Sequence, residues 1–149
     1  MQTNILWTGI EYYSLENCII DLSENKVGVD SAIIGLYNEK IYRVAYTIKL
    51  NNLWQVNYCI IKTQFDNRIK TIKFLSNQDK WSLDGKYFPE FDGCTDVDIP
   101  LTPFTNSLPI NRLKLSEGEA KEIDVIYIDL LEDNIKRVKQ KYSRVSAEV

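Results

Sequence analysis

The stretch Gly93–Leu113, which reads GCTDVDIPLTPFTNSLPINRL, contains the features that decide the fold. Three of the four prolines of the chain lie in it, at positions 100, 103 and 109. Asp96 and Asp98 are two residues apart, so in an extended segment their side chains share one face, opposite the apolar side chain of Val97. A proline at position 100 cannot donate to a ladder, which predicts that this strand lies at a sheet edge or ends there.

A polar loop at 102–107 follows this strand. Its Thr, Asn and Ser side chains can bond to local backbone, which is typical of a well-defined loop. We expect the chain to re-enter the core at Leu108 and to continue as a short strand to Leu115. Arg112 allows two interpretations, in which it either pairs with one of the two aspartates and holds the loop closed or contacts a ligand. Two aspartates are too few oxygens for a hard cation, so no metal site is predicted.

Length and composition favour one domain over residues 1–149. The formal net charge is −3 at pH 7 and the pI is about 5.1, which disfavours nucleic acid as a partner. The chain contains no histidine, and this excludes Ser-His-Asp and Cys-His nucleophiles and the usual zinc sites. We therefore expect no catalytic residue, no metal and no cofactor.

The N-terminal residues show no targeting pattern. No basic residue precedes the apolar run at 5–7, and that run is too short for a signal sequence or a membrane span. Cys18, Cys59 and Cys94 are far apart, with no Cys-x-x-Cys spacing. We expect a cytoplasmic protein with reduced thiols and no transmembrane segment.

Short alternating apolar runs, separated by turn residues about every ten positions, are typical of an antiparallel all-β protein. The clearest pair of runs spans residues 41–60 and predicts a long hairpin. On its first strand the apolar residues occupy the even positions from 42 to 50, and on its second strand those from 54 to 60. The hairpin should therefore have one apolar face rich in aromatic residues, namely Tyr42, Tyr46, Trp54 and Tyr58.

The tail at 133–147 allows a helix or a strand. A helix is favoured by apolar residues at i, i+3, i+7 and i+10, with Asp133 as the N-cap. A strand places Val138, Gln140 and Tyr142 on one face. The segment 117–133 is acidic and 136–144 is basic, so the two either neutralise each other or leave a basic surface for anionic lipid head groups.

The central stretch resembles the signature of the putative glycolipid-binding family of bacterial proteins. The resemblance rests on four segments in unbroken register: 96–99 (DVDI), 102–106 (TPFTN), 108–110 (LPI) and 112–113 (RL). It continues more thinly over almost the whole chain, for example at Trp7, Glu16, Trp81 and Tyr127.

The resemblance implies a mainly β fold with a single strongly curved antiparallel sheet, as an unclosed β-barrel or spiral β-roll. It favours a strand over a short C-terminal helix in the tail. Such chains continue for some tens of residues beyond the Gln-x-Tyr segment at 140–142, so this one is expected to lack closing C-terminal strands. An exposed sheet edge would then be available for a homodimer.

The function that the resemblance implies is non-catalytic binding of a glycolipid or other amphipathic lipid in an aromatic-lined concavity of the sheet. The four hairpin aromatics would form its wall, unless they are only core residues. Arg112 would anchor a phosphate or carboxylate, and Asn106 and Asp98 would bond sugar hydroxyls.

Two other functions remain open at this point. The first is a protein-interaction module that pairs through an open sheet edge. The second is a glycosidase-like hydrolase, for which Glu16, Glu90, Asp96 and Asp98 could supply paired carboxylates.

Overall fold

The large sheet of the fold is a meander of eight strands, each antiparallel to the next. The computed structural model describes residues 1–146. The strands are β1 (Gln2–Gly9), β2 (Ser14–Ser23), β3 (Lys26–Tyr37), β4 (Lys40–Asn51), β5 (Val56–Phe65), β6 (Arg68–Asn77), β7 (Lys80–Leu83) and β8 (Lys86–Tyr87). Within residues 1–146, β1 and β8 form no ladder with each other, so the sheet stays open. The predicted mainly β fold with one large, unclosed antiparallel sheet is confirmed.

A second sheet has three strands in the order β11-β10-β9, and the sequence did not predict it. Its strands are β9 (Asp96–Asp98), β10 (Ala120–Asp129) and β11 (Asn134–Ser143), with β9 parallel and β11 antiparallel to β10. The predicted C-terminal helix is therefore wrong and the strand interpretation of the tail is correct; residue 147 of that segment lies outside the described residues.

Charge pairing explains how a polar tail forms a strand. The basic strand β11 lies beside the acidic strand β10, where Arg137 Nη2 is 2.9 Å from Asp124 Oδ2 and Lys139 Nζ is 3.5 Å from Glu122 Oε1. The half-buried residues of β11 include Val138, Gln140 and Tyr142, the face that the strand pattern predicts. The opposite charges thus neutralise each other across the ladder.

The predicted hairpin is right on β4 and at Val56, the first residue of β5, and wrong on the rest of β5. All five even positions from 42 to 50 are buried on β4. A register shift between Lys49 and Leu50 moves the buried set of β5 to the odd positions from 59 to 63. Tyr58 therefore lies on the outer face, with the ammonium groups of Lys49 and Lys73 at 5.7 and 5.5 Å from its ring centre. A β-bulge is the physical reason, since one extra residue reverses the alternation.

The inner face of the large sheet is filled by the chain itself. Side chains of the central stretch join the buried side chains of the sheet in one core, namely Phe91, Cys94, Val97, Ile99, Leu101, Phe104 and Leu108. Ile126 and Ile128 of β10 complete this core. The sequence left open whether the aromatic-lined concavity is empty or filled, and the structure shows it filled by residues of the same chain.

Helix α1 (Ser107–Leu113) stands where we expected the chain to continue as a strand to Leu115, so that expectation is wrong. Pro109 is its third residue, and the backbone N–H groups of the first four helical residues have no partner within a helix, so a proline there removes no helical hydrogen bond. Two 3-10 turns, Pro89–Phe91 and Phe104–Asn106, lie in the preceding segment, and the second leads directly into α1. The helix ends at Lys114, whose φ of 47° is left-handed and whose N–H lies 3.4 Å from the carbonyl oxygen of Ile110.

Candidate functional site

Arg112 closes the central stretch on itself. Its Nη2 donates to Asp96 Oδ2 at 2.6 Å and to Thr95 Oγ1 at 2.9 Å, while its Nε lies 3.4 Å from Asp96 Oδ1. The Asp96 side chain is only 1% exposed and that of Arg112 is 15% exposed. The helix that carries Arg112 is thus fastened to β9 by a buried, fork-shaped ion pair. The arginine expected to hold a ligand anion already holds a carboxylate of its own chain.

Asp98 is also bonded within the chain. Its Oδ2 accepts from Gln140 Nε2 at 2.7 Å and its Oδ1 from Thr105 Oγ1 at 3.2 Å. Burial raises the pKa of the neighbouring Tyr142 to about 12, and the negative charge of Asp98 adds to this effect. Asp98 therefore joins β9 to β11 and to the 3-10 turn.

The four hairpin aromatics do not form one wall. Tyr42 and Tyr46 are buried in the core, and the Tyr42 hydroxyl donates to the carbonyl oxygen of Tyr12 at 2.9 Å. Trp54 lies in the turn before β5 with a φ of 61°, beside a cavity of about 290 Å³ that Arg112 also lines. Since Tyr58 lies on the outer face, the predicted grouping of these residues in one site is wrong.

Glu16 is a functional candidate that the sequence pattern did not single out. The sequence suggested it only as one of four carboxylates that could serve a hydrolase. It is 2% exposed. Its Oε1 accepts hydrogen bonds from Ser31 at 2.6 Å, Tyr46 at 2.7 Å and Thr102 at 2.9 Å. Its Oε2 is buried and has no hydrogen-bond partner. Burial raises the pKa of Tyr46 well above its usual value, and the charge of Glu16 adds to this effect.

A cavity of about 380 Å³ lies between β1, β2 and the loop at 100–106, and we call it the Glu16 cavity. Glu16 lines it together with Trp7, Thr8, Gly9, Ile10, Glu11, Tyr12, Ser14, Pro100, Leu101, Thr102, Pro103 and Asn106. Trp7 is the register partner of Glu16, so their side chains share the inner face of the sheet. Asn106, a predicted ligand-binding residue, is exposed on the opposite wall. In this cavity a predicted polar residue, Asn106, meets an unpaired buried group, the Oε2 atom of Glu16.

A larger cavity of about 530 Å³ lies where the two sheets meet, and we call it the sheet-interface groove. It is lined by Thr63, Phe65, Asp66, Arg68, Ile69, Lys70, Ile72, Ile128, Asp129, Leu130, Leu131, Asp133 and Ile135. Ile72 and Ile128 are buried at its floor. Lys70 forms an ion pair with Asp133 at its rim. The groove thus combines an apolar interior with charged groups at its edge.

Both cavities open at the same end of the large sheet. The turns after β1, β3 and β5 lie side by side there, because the strands are antiparallel neighbours. The Glu16 cavity borders the first of these turns and the sheet-interface groove borders the third. Tyr37 lies between them; its ring centre is 6.1 Å from that of Phe65, and its hydroxyl donates to Glu132.

Among residues 1–146, no group of three or more His, Cys, Asp or Glu side chains could hold a metal ion. The three cysteines are buried and unpaired, and burial raises the pKa of the Cys59 thiol to about 12. No helix within residues 1–146 has the length and hydropathy needed to cross a membrane.

Comparison with known proteins places this geometry in a family. The model of the family described as "Putative glycolipid-binding" matches residues 4–149. The chain belongs to this family. A crystal structure of a DUF1089 family protein from Pseudomonas aeruginosa is similar to it, with a TM-score of 0.80 and 26% identity over 95% of this chain and 76% of that one. Comparison with curated proteins gives no match. The name of the glycolipid-binding family points to a lipid-like partner.

Proposed function

We propose that the chain binds a glycolipid or another amphipathic lipid without catalysing a reaction on it. The observation that carries this proposal is the sheet-interface groove, whose volume of about 530 Å³ falls in the range typical of small-molecule sites. The groove lies apart from the concavity of the large sheet, which the central stretch fills.

Binding in the groove would be driven by burial of an alkyl chain. Apolar burial contributes about 25 cal/mol per Å², from which the cost of association is subtracted. Phe65, Leu131 and Ile135 are half-buried there, so a ligand would cover apolar surface that the fold leaves in contact with water. Arg68 at the rim, beside the ion pair of Lys70 and Asp133, can face an anionic group of the ligand.

A binding function without catalysis is supported by the state of two of the four carboxylates that a hydrolase could use, Asp96 and Asp98. Asp96 is paired with Arg112, and Asp98 accepts bonds from Gln140 and Thr105. A glycosidase needs one carboxylic acid and one carboxylate facing the same glycosidic bond. Groups fixed in bonds that hold the fold together are poorly suited to that work.

The test is native mass spectrometry of the protein incubated with octyl β-glucoside or octanoate below their micelle concentrations. We expect adducts of both, since the alkyl chain supplies most of the burial. Ile135→Gln should weaken both by about fivefold to tenfold, because it places a polar group in the groove. Val138→Gln is the matched control, since Val138 is a half-buried residue of the same strand that does not line the groove.

Two results would count against the proposal. One is a clean mass without adducts for the folded wild-type protein at every amphiphile concentration. The other is an equal loss of binding in both variants, which would show that the substitutions act on the fold and not on the groove. Thermal melting of both variants provides the comparison that separates these cases.

A further inference from the structure

We propose that the Glu16 cavity binds a hydroxyl-rich ring, such as a pyranose, through the free carboxylate oxygen of Glu16. The inference takes the class of ligand, a glycolipid, from the proposed function and rests on it to that extent. It assigns the sugar part of such a ligand to a cavity distinct from the sheet-interface groove.

The first argument is the uneven environment of the two oxygens of Glu16. Oε1 accepts three hydrogen bonds, from the hydroxyls of Ser31, Tyr46 and Thr102, while Oε2 accepts none. All three donors are neutral, and Glu16 forms no ion pair among residues 1–146. A buried acceptor without a partner destabilises a fold unless something else gains from it. A ligand hydroxyl at Oε2 would complete the set.

The second argument is the mixture of groups that line the cavity. Trp7 and Tyr12 are half-buried and, with the two prolines at 100 and 103, offer flat apolar surfaces to a ring. The indole N–H of Trp7, the hydroxyl of Tyr12 and the side-chain amide of Asn106 have no hydrogen-bond partner within the described residues. The cavity therefore holds unused donors as well as an unused acceptor.

This mixture favours hydroxyls over an ammonium group. A hydroxyl both donates and accepts, so a sugar can donate to Glu16 Oε2 and accept from Asn106 or Trp7. An ammonium group only donates, and it would leave those N–H groups unmatched. Glu11 also lines the cavity, but it is exposed to solvent and can turn toward water.

The third argument is that the walls are fixed before any ligand arrives. Thr102 Oγ1 donates to Glu16 and accepts from the backbone N–H of Phe104 at 3.0 Å. The backbone N–H of Thr102 donates to the carbonyl oxygen of Ile99 at 3.0 Å. A site whose polar atoms are already held in place loses little conformational entropy on binding.

The decisive variant is Glu16→Gln. Its amide oxygen can still accept from the three hydroxyls, while its NH₂ group stands where the free oxygen was, so one acceptor becomes a donor. Ligand-observed NMR would measure binding of methyl glycopyranosides of glucose, galactose and mannose. We expect at least one to bind the wild-type protein and to bind Glu16→Gln about tenfold or more weakly. Glu122→Gln, an exposed change on β10 outside the cavity, should bind as the wild type does.

Asn106→Ala is a second variant that still tests the inference if Glu16→Gln does not fold. Asn106 is exposed and its side chain caps no helix, so the variant should fold, and it should weaken the same glycoside several-fold. If no methyl glycoside binds the wild-type protein, or if one binds with equal affinity to both cavity variants, the inference is overturned. Binding of ethanolamine but of no glycoside, lost in Glu16→Gln, would overturn the assignment to hydroxyls.

The outcomes separate this inference from the proposed function. Octyl β-glucoside that binds through the groove and is insensitive to Glu16→Gln would leave lipid binding in place and reject the sugar site. Glycosides that depend on Glu16 but gain nothing from an attached octyl chain would support the sugar site and reject lipid binding.

Discussion

Removal of the Arg112 side chain should unfold the protein far more readily than removal of any surface charge. Arg112→Met keeps much of the apolar stem. Among residues 1–146, it leaves the Thr95 hydroxyl as the side-chain donor to the carboxylate of Asp96, at 2.9 Å. Breaking a buried ion pair by deleting one partner destabilises by about 3–5 kcal/mol. Asp96 is 1% exposed, so the upper part of that range applies. With about 4–5 kcal/mol lost, the melting temperature of a domain of this size should fall by about 8–20 °C.

Urea unfolding followed by tryptophan fluorescence measures this loss. Trp81 is a suitable reporter, because it is buried and its indole N–H donates to the carbonyl oxygen of Cys94 at 2.9 Å, close to Asp96 in the chain. Lys139→Met provides the control. The Lys139–Glu122 pair has exposed side chains on both sides, and its loss should change stability by less than about 1 kcal/mol.

A second substitution tests the cause of the loss. If the stranded charge of Asp96 is responsible, the double variant Arg112→Met with Asp96→Asn should be more stable than Arg112→Met alone. The reasoning fails if Arg112→Met loses less than about 1 kcal/mol, or if the second change brings no recovery. The first result would release Arg112 from its structural role and return it to the list of ligand-binding candidates. The second would leave Arg112 structural but reject the stranded charge of Asp96 as the cause of the loss.

Two further predictions concern the core. Gly35→Ala should lower the free energy of unfolding by about 1–3 kcal/mol, because the new Cβ would lie 2.3 Å from the Tyr42 ring. Gly28→Ala on the same strand is the control, since its Cβ would meet nothing within 4 Å. Equal melting temperatures of the two variants would contradict this prediction. Burial raises the pKa of Cys59 from 9.0 to about 12, so the unfolded state loses this proton first as the pH rises. The stability of the wild-type protein should therefore fall between about pH 9 and 12, by up to about 1.4 kcal/mol per pH unit relative to the Cys59→Val variant. If the urea midpoints of the wild-type protein and of this variant change in parallel with pH, the prediction is refuted.

The fold was predictable where a strand has one solvent-exposed face and one buried face. On β4 every second residue from Tyr42 to Leu50 is apolar, and this alternation alone identifies the buried face. On β5 the same rule failed, because a bulge leaves no mark in composition. The second sheet was not predicted either, since β9 is only three residues long and pairs in parallel with a strand more than twenty residues later.

The candidate site was predictable only in part. The resemblance pointed to Asn106, which lines the Glu16 cavity, and the residues alone suggested that Arg112 pairs with an aspartate, which it does. Glu16 was missed as the centre of a site because β2 has apolar residues on both faces, so periodicity did not identify its inner face. Its partner Thr102 is 86 residues away in the chain, and such a pairing is set by the tertiary fold.

The central stretch has two roles that the sequence presented as alternatives. Its two ends are fastened to each other by Asp96 and Arg112, and its apolar side chains fill the inner face of the large sheet. Between them, Thr102 bonds the carboxylate of Glu16, and its loop forms a wall of the Glu16 cavity. Because the inner face of the large sheet is filled, the two cavities proposed for ligands lie at its periphery, at one end of the sheet. A polar segment that closes the core therefore also determines where binding can occur.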